Sequence, residues 1–388
     1  MINLTNADKA LKTYYLDVVA NSLNTKVNPL LAKFEQTSSD VWGKEVRKVV
    51  TGGLNGGFGA GTETGDLPVA SKNVYQQMVL TLKNLYGTIE ISDKAVRAAN
   101  GNAGAFLNLL EGEMESLIRS AKLNFGRMLF GDGSGILANV VAITGNIITV
   151  DSVKNVFEGM VVDVLSADDD STLVSARRVS AVDRADKKIY LEGATISSGT
   201  VATDDYITIQ GSYKNELTGL GAIFGSDSSL YGIDRSVYKW MKPYNKASTS
   251  ISDSVIQSVI DTLEENSGTN ADMLVCSAGV KRAYVDYAVT NRLNVEYVRL
   301  DDGTQAISYQ GIPMVADRFC PEKTMYVLHT PDFRIYQLCD WRWLEGDDGK
   351  VLKQIGGKPV YNATLVKYAD ILCERPCAQG SITNITEG

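Results

Sequence analysis

Between Ala105 and Phe130 apolar residues recur every three or four positions, at Phe106, Leu110, Met114, Leu117, Ala121, Phe125 and Met128. That spacing lines one face of a helix. Glu111, Glu113, Glu115, Arg119, Lys122 and Arg127 fall largely on the other side. At about 1.5 Å per residue the helix is roughly 38 Å long, more than most globular helices need to cover a core. It reads as a strut, against the plainer alternative of an ordinary amphipathic helix on a sheet. Asn100-Gly101-Asn102 supplies caps at its start, and Gly131-Asp132-Gly133-Ser134-Gly135 stops it.

Upstream, Leu11, Tyr14, Tyr15, Val18, Val19 and Leu23 give the stretch Asn6 to Glu35 a helical apolar stripe that ends near Asn28-Pro29. From Lys44 to Ile91 the period shifts towards two, and the chain reads as a long hairpin: KEVRKVV runs out and NVYQQMVLTLKNLYGTIEIS runs back. Val74, Met78, Leu80 and Leu82 share one side of the return limb. A projecting hairpin buries little of itself, so this apolar side is expected to lie on another subunit. Between the limbs, GGLNGGFGAGTETGD from Gly52 to Asp66 holds seven glycines in fifteen residues. It lacks the Lys-Ser/Thr pair of a phosphate-binding loop and a complete GxGxxG, so it reads as a flexible tip. Gly52, Gly53, Asn55, Gly56, Gly57, Phe58 and Gly59 are its candidate intersubunit contacts.

Downstream, Ile143 to Gln210 alternates in short apolar runs: ITGNIITV, EGMVVDVLS, ARRVSAVDRADKKIYLEG turning at Arg184-Ala185-Asp186, and DYITIQ. Short strands at regular spacing predict a small inserted β-barrel. The run Asp168-Asp169-Asp170 lacks the spaced ligands of a calcium loop and reads as a solvated turn. After a loop-rich stretch around Trp240, a mixed α/β segment is predicted: helices from Ser252 to Asn266 and from Ala278 to Val289, and strands ADMLVCS, GIPMVADRF and TMYVLH. Asp301-Asp302-Gly303 and Asp347-Asp348-Gly349 are turns between strand-like runs. The tail VYNATLVKYADILCERPCAQGSITNI reads as one long final strand.

A formal net charge of −8 over 388 residues argues against a binder driven by phosphate neutralisation. No basic and apolar leader and no run of about 18 apolar residues is present, which predicts a cytoplasmic chain without a membrane span. The five cysteines are expected as reduced thiols, and the Cys373/Cys377 pair has no second ligand pair to make a metal site. His329 is the sole histidine available as a catalytic base, and no GxSxG elbow or HExxH helix accompanies it. No catalytic, metal or cofactor site is therefore expected. A carboxylate-only hydrolase stays open as a lower-ranked alternative, because its two acids have no fixed spacing in sequence.

The order of these elements, an arm, a hairpin with a Gly-rich tip, a long helix ending in LFGDGSG, a β insertion, LTGLGAIF, an α/β domain and YNATLVKYADILCERPCAQGSI, resembles the major capsid proteins of tailed bacteriophages with the HK97 fold. The resemblance implies an α+β chain in which 1–36 is the N-arm, 37–92 the E-loop and 93–138 part of the P-domain with its spine helix. It further implies an inserted domain at 139–212, a connection at 213–244, an axial A-domain at 245–345 and strands returning to the P-domain at 346–388. The implied function is structural: pentamers and hexamers close an icosahedral shell around double-stranded DNA, in a virion assembled in the host cytoplasm. Partners implied are a portal, a scaffolding protein, DNA held weakly and a possible decoration protein. An encapsulin-like nanocompartment shares the fold and is the main alternative. The Gly-rich tip has no lysine, which predicts no isopeptide crosslink of the kind some relatives make. The chain begins directly with the arm, which implies a separate scaffolding protein.

Overall fold

The computed structural model describes residues 29–53, 57–66, 69, 72–94, 103–292, 296–299, 305–346 and 349–388. The chain forms two compact units, one from Met1–Gly126 with Ala222–Gly388, the other from Arg127–Gly221. The arm stripe from Leu11 to Leu23 lies outside the described residues.

The long helix runs Ala103–Phe130, two residues longer at its start than its apolar spacing predicts. Met114, Phe125 and Leu129 on its apolar face are buried. Phe125 meets Trp341 edge to face at 6.0 Å, which seats the helix on a sheet. A glycine permits the close approach: a Cβ on Gly87 would come within 2.8 Å of Leu117 Cδ1.

That sheet contains Glu35–Thr37, Phe333–Trp343, Val360–Cys373 and Lys353–Gln354, with Lys83–Ser92 on the far edge of Val360–Cys373. A second, seven-stranded sheet orders Tyr244–Ala247, Gly380–Thr383, Met325–Leu328, Met273–Cys276, Ile312–Ala316, Gln305–Tyr309 and Glu296–Arg299. Helices Asp253–Ser267 and Ala278–Thr290 cover it, each started by a serine cap, Ser252 and Ser277. Ile256, Val259, Ile260 and Leu263 follow an i, i+3, i+4, i+7 pattern and are all buried.

Two elements differ from the sequence-based expectation. The return limb of the hairpin is two strands, Val74–Thr81 and Lys83–Ser92, which belong to different sheets. The tail is also two strands. Val360–Cys373 ends before a single turn at Pro376–Ala378, and Gly380–Thr383 joins the seven-stranded sheet. Pro376 has no N–H to continue a ladder, and a Cβ on Gly380 would sit 2.8 Å from Val259 Cγ1.

In the other unit, six antiparallel strands close a barrel in the order Lys188–Leu191, Ile147–Val150, Ile136–Thr144, Tyr206–Ile209, Val161–Leu165 and Thr172–Asp183. Its hairpins turn where the sequence places them, and Val140, Ile148, Val162, Val164, Ile189 and Ile207 fill the interior. Two buried carboxylates brace its loops. Asp163 accepts from the amides of Ala176 and Gly211, and Asp205 from those of Ala167 and Ala202. The Asp168–Asp170 turn is exposed and pinned by Asp170 to Tyr213 and Lys214, each at 2.6 Å.

Arg127 and Glu216 form a buried two-pronged pair at 2.8 and 2.5 Å that joins the segments entering and leaving the barrel. Removing one partner strands the other charge out of water. Arg127→Met is expected to cost about 3–5 kcal/mol in denaturant unfolding of this unit, and pairing it with Glu216→Leu to recover most of that loss.

Candidate subunit interface

The hairpin carries the candidate contacts, and its register decides what it presents. Glu45–Gly52 pairs with Val74–Thr81 from Glu45↔Thr81 to Gly52↔Val74, with Val41–Trp42 added alongside. Residues opposite one another share a face. One face therefore holds Val46, Lys48, Val50 and Gly52 with Leu80, Met78, Gln76 and Val74.

This face is turned onto the hairpin's own chain. Val46, Met78 and Leu80 are buried, Gln76 Nε2 donates to the Tyr238 hydroxyl at 2.7 Å, and Gly52 lies against Trp240 so closely that a Cβ would fall 2.4 Å from its indole nitrogen. The expected placement of Met78, Leu80 and Leu82 on another subunit is thus corrected: they are core residues of this one. Only Val74, near the tip, is exposed.

The reverse face is where apolar surface stays open. Trp42, Val49 and Tyr75 are 78%, 61% and 61% exposed, and Phe58 at the tip is 97% exposed. The sequence held a signal for this second face, because Val46, Val49 and Val50 place apolar side chains on both parities of a single strand.

Of the candidate contacts, Gly52 faces Trp240 of its own chain. Gly53 adopts a left-handed φ of 88°, and Gly57, Phe58 and Gly59 are exposed in the tip. Asn55 and Gly56 lie outside the described residues, as do Asp301, Asp302, Gly303, Asp347 and Asp348. Gly349 closes a turn with φ +71°.

A charge network fastens the root of the hairpin. Lys48 reaches Glu374 and the Tyr336 hydroxyl. Arg334 lies 3.1 Å from Glu374 and 3.1 Å from Glu35, bringing in the edge strand Glu35–Thr37. Burial pulls the Lys48 ammonium down, yet its hydrogen bonds to Glu374 and Tyr336 outweigh that and hold it above the ordinary lysine value. Lys367 is different. It is fully buried between Asp340, Gln36 and the face of Trp341, and desolvation holds it below the ordinary value despite Asp340.

Residues that could carry chemistry are engaged elsewhere. His329 Nδ1 lies 3.1 Å from Asp332, whose carboxylate also takes Arg375 at 2.8 Å and Gln379 at 3.2 Å. Burial pushes the Cys373 and Cys377 thiols up, away from the thiolate that ligates or attacks. Among the described residues no group of three His, Cys, Asp or Glu side chains gathers to hold a metal.

No family model matches the chain, and no curated protein matches it. Solved structures do. The capsid asymmetric unit of cyanophage A-1(L) is similar over 96% of this chain and 93% of that one, with a TM-score of 0.55 and 10% identity. The holo-SrpI encapsulin complex from Synechococcus elongatus PCC 7942 matches over 93% and 89%, at a TM-score of 0.47 and 8% identity. The capsid of a native GTA particle matches over 92% and 90%, at 0.46 and 11%. The cyanophage likeness shows the fold: this chain has the HK97-like α+β architecture of a capsid subunit.

The two lysines predict opposite alkaline behaviour. A raised folded value means that Lys48 stabilises fully below its unfolded value near 10.5 and ceases to as pH rises through the folded one. Lys48→Met is therefore expected to cost about 1–2 kcal/mol at pH 7, a cost that shrinks above that range. The lowered value of Lys367 means that its burial as a cation is unfavourable until it deprotonates. Lys367→Met is expected to be neutral or stabilising at pH 7. Paired unfolding curves at neutral and alkaline pH check both.

Proposed function

We propose that this chain is the major capsid protein of a tailed bacteriophage, assembling as pentamers and hexamers into an icosahedral shell that encloses double-stranded DNA. The observation that carries the reading is the apolar face of Trp42, Val49 and Tyr75, with Phe58 at the tip, left open on a chain whose fold is that of a capsid subunit. Exposed apolar patches of this kind mark surfaces that meet another protein.

In this reading residues 37–81 are the extended loop, whose open face meets a neighbour, 1–36 the arm, and the long helix with Lys83–Ser92, Phe333–Trp343 and Val360–Cys373 the peripheral domain. The axial domain is built on the seven-stranded sheet, residues 244–328 with the returning strand Gly380–Thr383, and not the whole of 245–345, since Phe333–Trp343 pairs with Val360–Cys373; Asp301-Asp302-Gly303 is its turn for contacts around the symmetry axes. The inserted module at 139–212 offers a surface for a decoration protein. A head-to-tail contact that closes into rings, repeated many times, makes a stable shell from individually weak contacts. The charge of −8 suits a wall that holds DNA without binding it tightly. A portal and a scaffolding protein are the further partners, and the protein's place is the virion.

Electron microscopy of the purified chain, with light scattering for mass, tests this. Closed shells, tubes, hexamers or pentamers are expected, and Trp42→Asp with Val49→Asp should abolish them while leaving the unfolding transition within about 1 kcal/mol of the parent, as for surface substitutions. A monodisperse monomer with or without added scaffold refutes the shell. Shells from cells that contain an enzyme cargo and no DNA refute the virus and leave a nanocompartment. Assembled shells are also expected to run as single chains on a denaturing gel, since the tip from Gly52 to Asp66 has no lysine to crosslink.

A further inference from the structure

The end of the hairpin carries charge of one sign. Residues 57–66 are all exposed and include two acids, Glu63 and Asp66, with no lysine or arginine among them. The acids sit on a defined turn: the Gly65 amide donates to the Thr62 carbonyl at 3.3 Å, which places Glu63 at its first corner position. In the same stretch Phe58 is 97% exposed.

Where the hairpin leans on residues 234–242 of its own chain, the sign is opposite. Lys239 and Lys242 are exposed and stand on either side of Trp240 in sequence, the half-buried indole against which Gly52 lies. The acid of this segment, Asp234, is turned back onto the Ser236 amide at 2.6 Å, and Arg235 is buried. Apolar surface is open here too: Val237 is 65% exposed and Val74, paired with Gly52, 48%.

Two surfaces of opposite charge, each with exposed apolar side chains, thus lie at different places along one hairpin, and neither is covered in the single chain. Complementary patches at different places on identical copies make a head-to-tail contact, the kind that closes rings. Opposite charge there fixes register and excludes wrong partners more than it adds affinity. A phosphate backbone would suit the two lysines but is repelled by an acidic tip, and only a second copy answers both patches at once.

Resting on the shell reading above, we propose that the hairpin tip of one copy, Phe58 with Glu63 and Asp66, docks on segment 237–242 of a second copy, against Val237, Val74 and Trp240, with Lys239 and Lys242 paired to the two acids.

Charge reversal on each side tests the contact. Lys239→Glu with Lys242→Glu, and separately Glu63→Lys with Asp66→Lys, are expected to raise the concentration needed for assembly about tenfold or more, since two exposed pairs become two repulsions. The measurement is made at about 0.1 M salt, where screening reaches about 10 Å. All four substitutions together leave the net charge unchanged and are expected to restore the parental value. The positions are exposed, so each variant keeps the parent's unfolding transition. Carbodiimide coupling of carboxyl to amine in a mixture of isotope-labelled and unlabelled chains, read by peptide mass spectrometry, is expected to join Glu63 or Asp66 to Lys239 or Lys242 across the two labels. Parental assembly in either reversed pair, no recovery in the fourfold variant, or couplings confined to one label would each overturn the contact while assembled parent shells keep the shell reading. A parent that stays monomeric refutes both.

Discussion

A strand hydrogen-bonded along both edges has few backbone groups left to trade, and Val360–Cys373 is the element on which this architecture depends. One edge carries Phe333–Trp343 and Lys353–Gln354; the other carries Lys83–Ser92 and then the Tyr231 hydroxyl. Through those partners the strand connects the edge strand Glu35–Thr37, the hairpin and, by Phe125 on Trp341, the long helix. Ala363, Leu365, Val366, Ala369, Ile371 and Leu372 along it are buried, so apolar packing and ladder hydrogen bonds fix its position together. The C-terminal forty residues therefore organise segments hundreds of positions away in sequence, a topology of long loop closures.

How legible this was in the sequence follows from the range of each interaction. The long helix, the two capped helices and the barrel hairpins rest on local period and local turns, and the residues that signal them lie within a few positions of one another. The two hand-overs were hidden because their causes are distant. NVYQQMVLTLKNLYGTIEIS looks like one strand; what breaks it at Leu82 is competition between Glu45–Gly52 and Val360–Cys373 for its two halves. The tail reads as continuous until Pro376, its first local breaker.

The candidate interface was legible in place and inverted in face. Period-two alternation identified a hairpin and one apolar side, but only tertiary contact decides which of two apolar parities is covered. Tyr238 and Trp240, some 160 positions from Gln76 in sequence, cover the side bearing Met78 and Leu80, and so leave Trp42, Val49 and Tyr75 outward. The Gly-rich tip was singled out for mobility, and Gly52 has a second use there, the space its missing side chain gives the Trp240 indole.

The two faces also differ in the strength of what they offer. The covered face is fixed by buried Val46, Met78 and Leu80 and by a charge network through Lys48, Glu374, Arg334 and Glu35, interactions that are intramolecular and need no concentration to form. The open face offers Trp42, Val49 and Tyr75 beside the Arg47–Glu45 ion pair, enough for a contact worth little alone. On the proposed shell reading, that division suits a subunit that must be stable before it assembles. Strong contacts on the open face would lock misplaced neighbours, whereas weak ones dissociate and correct until many act together.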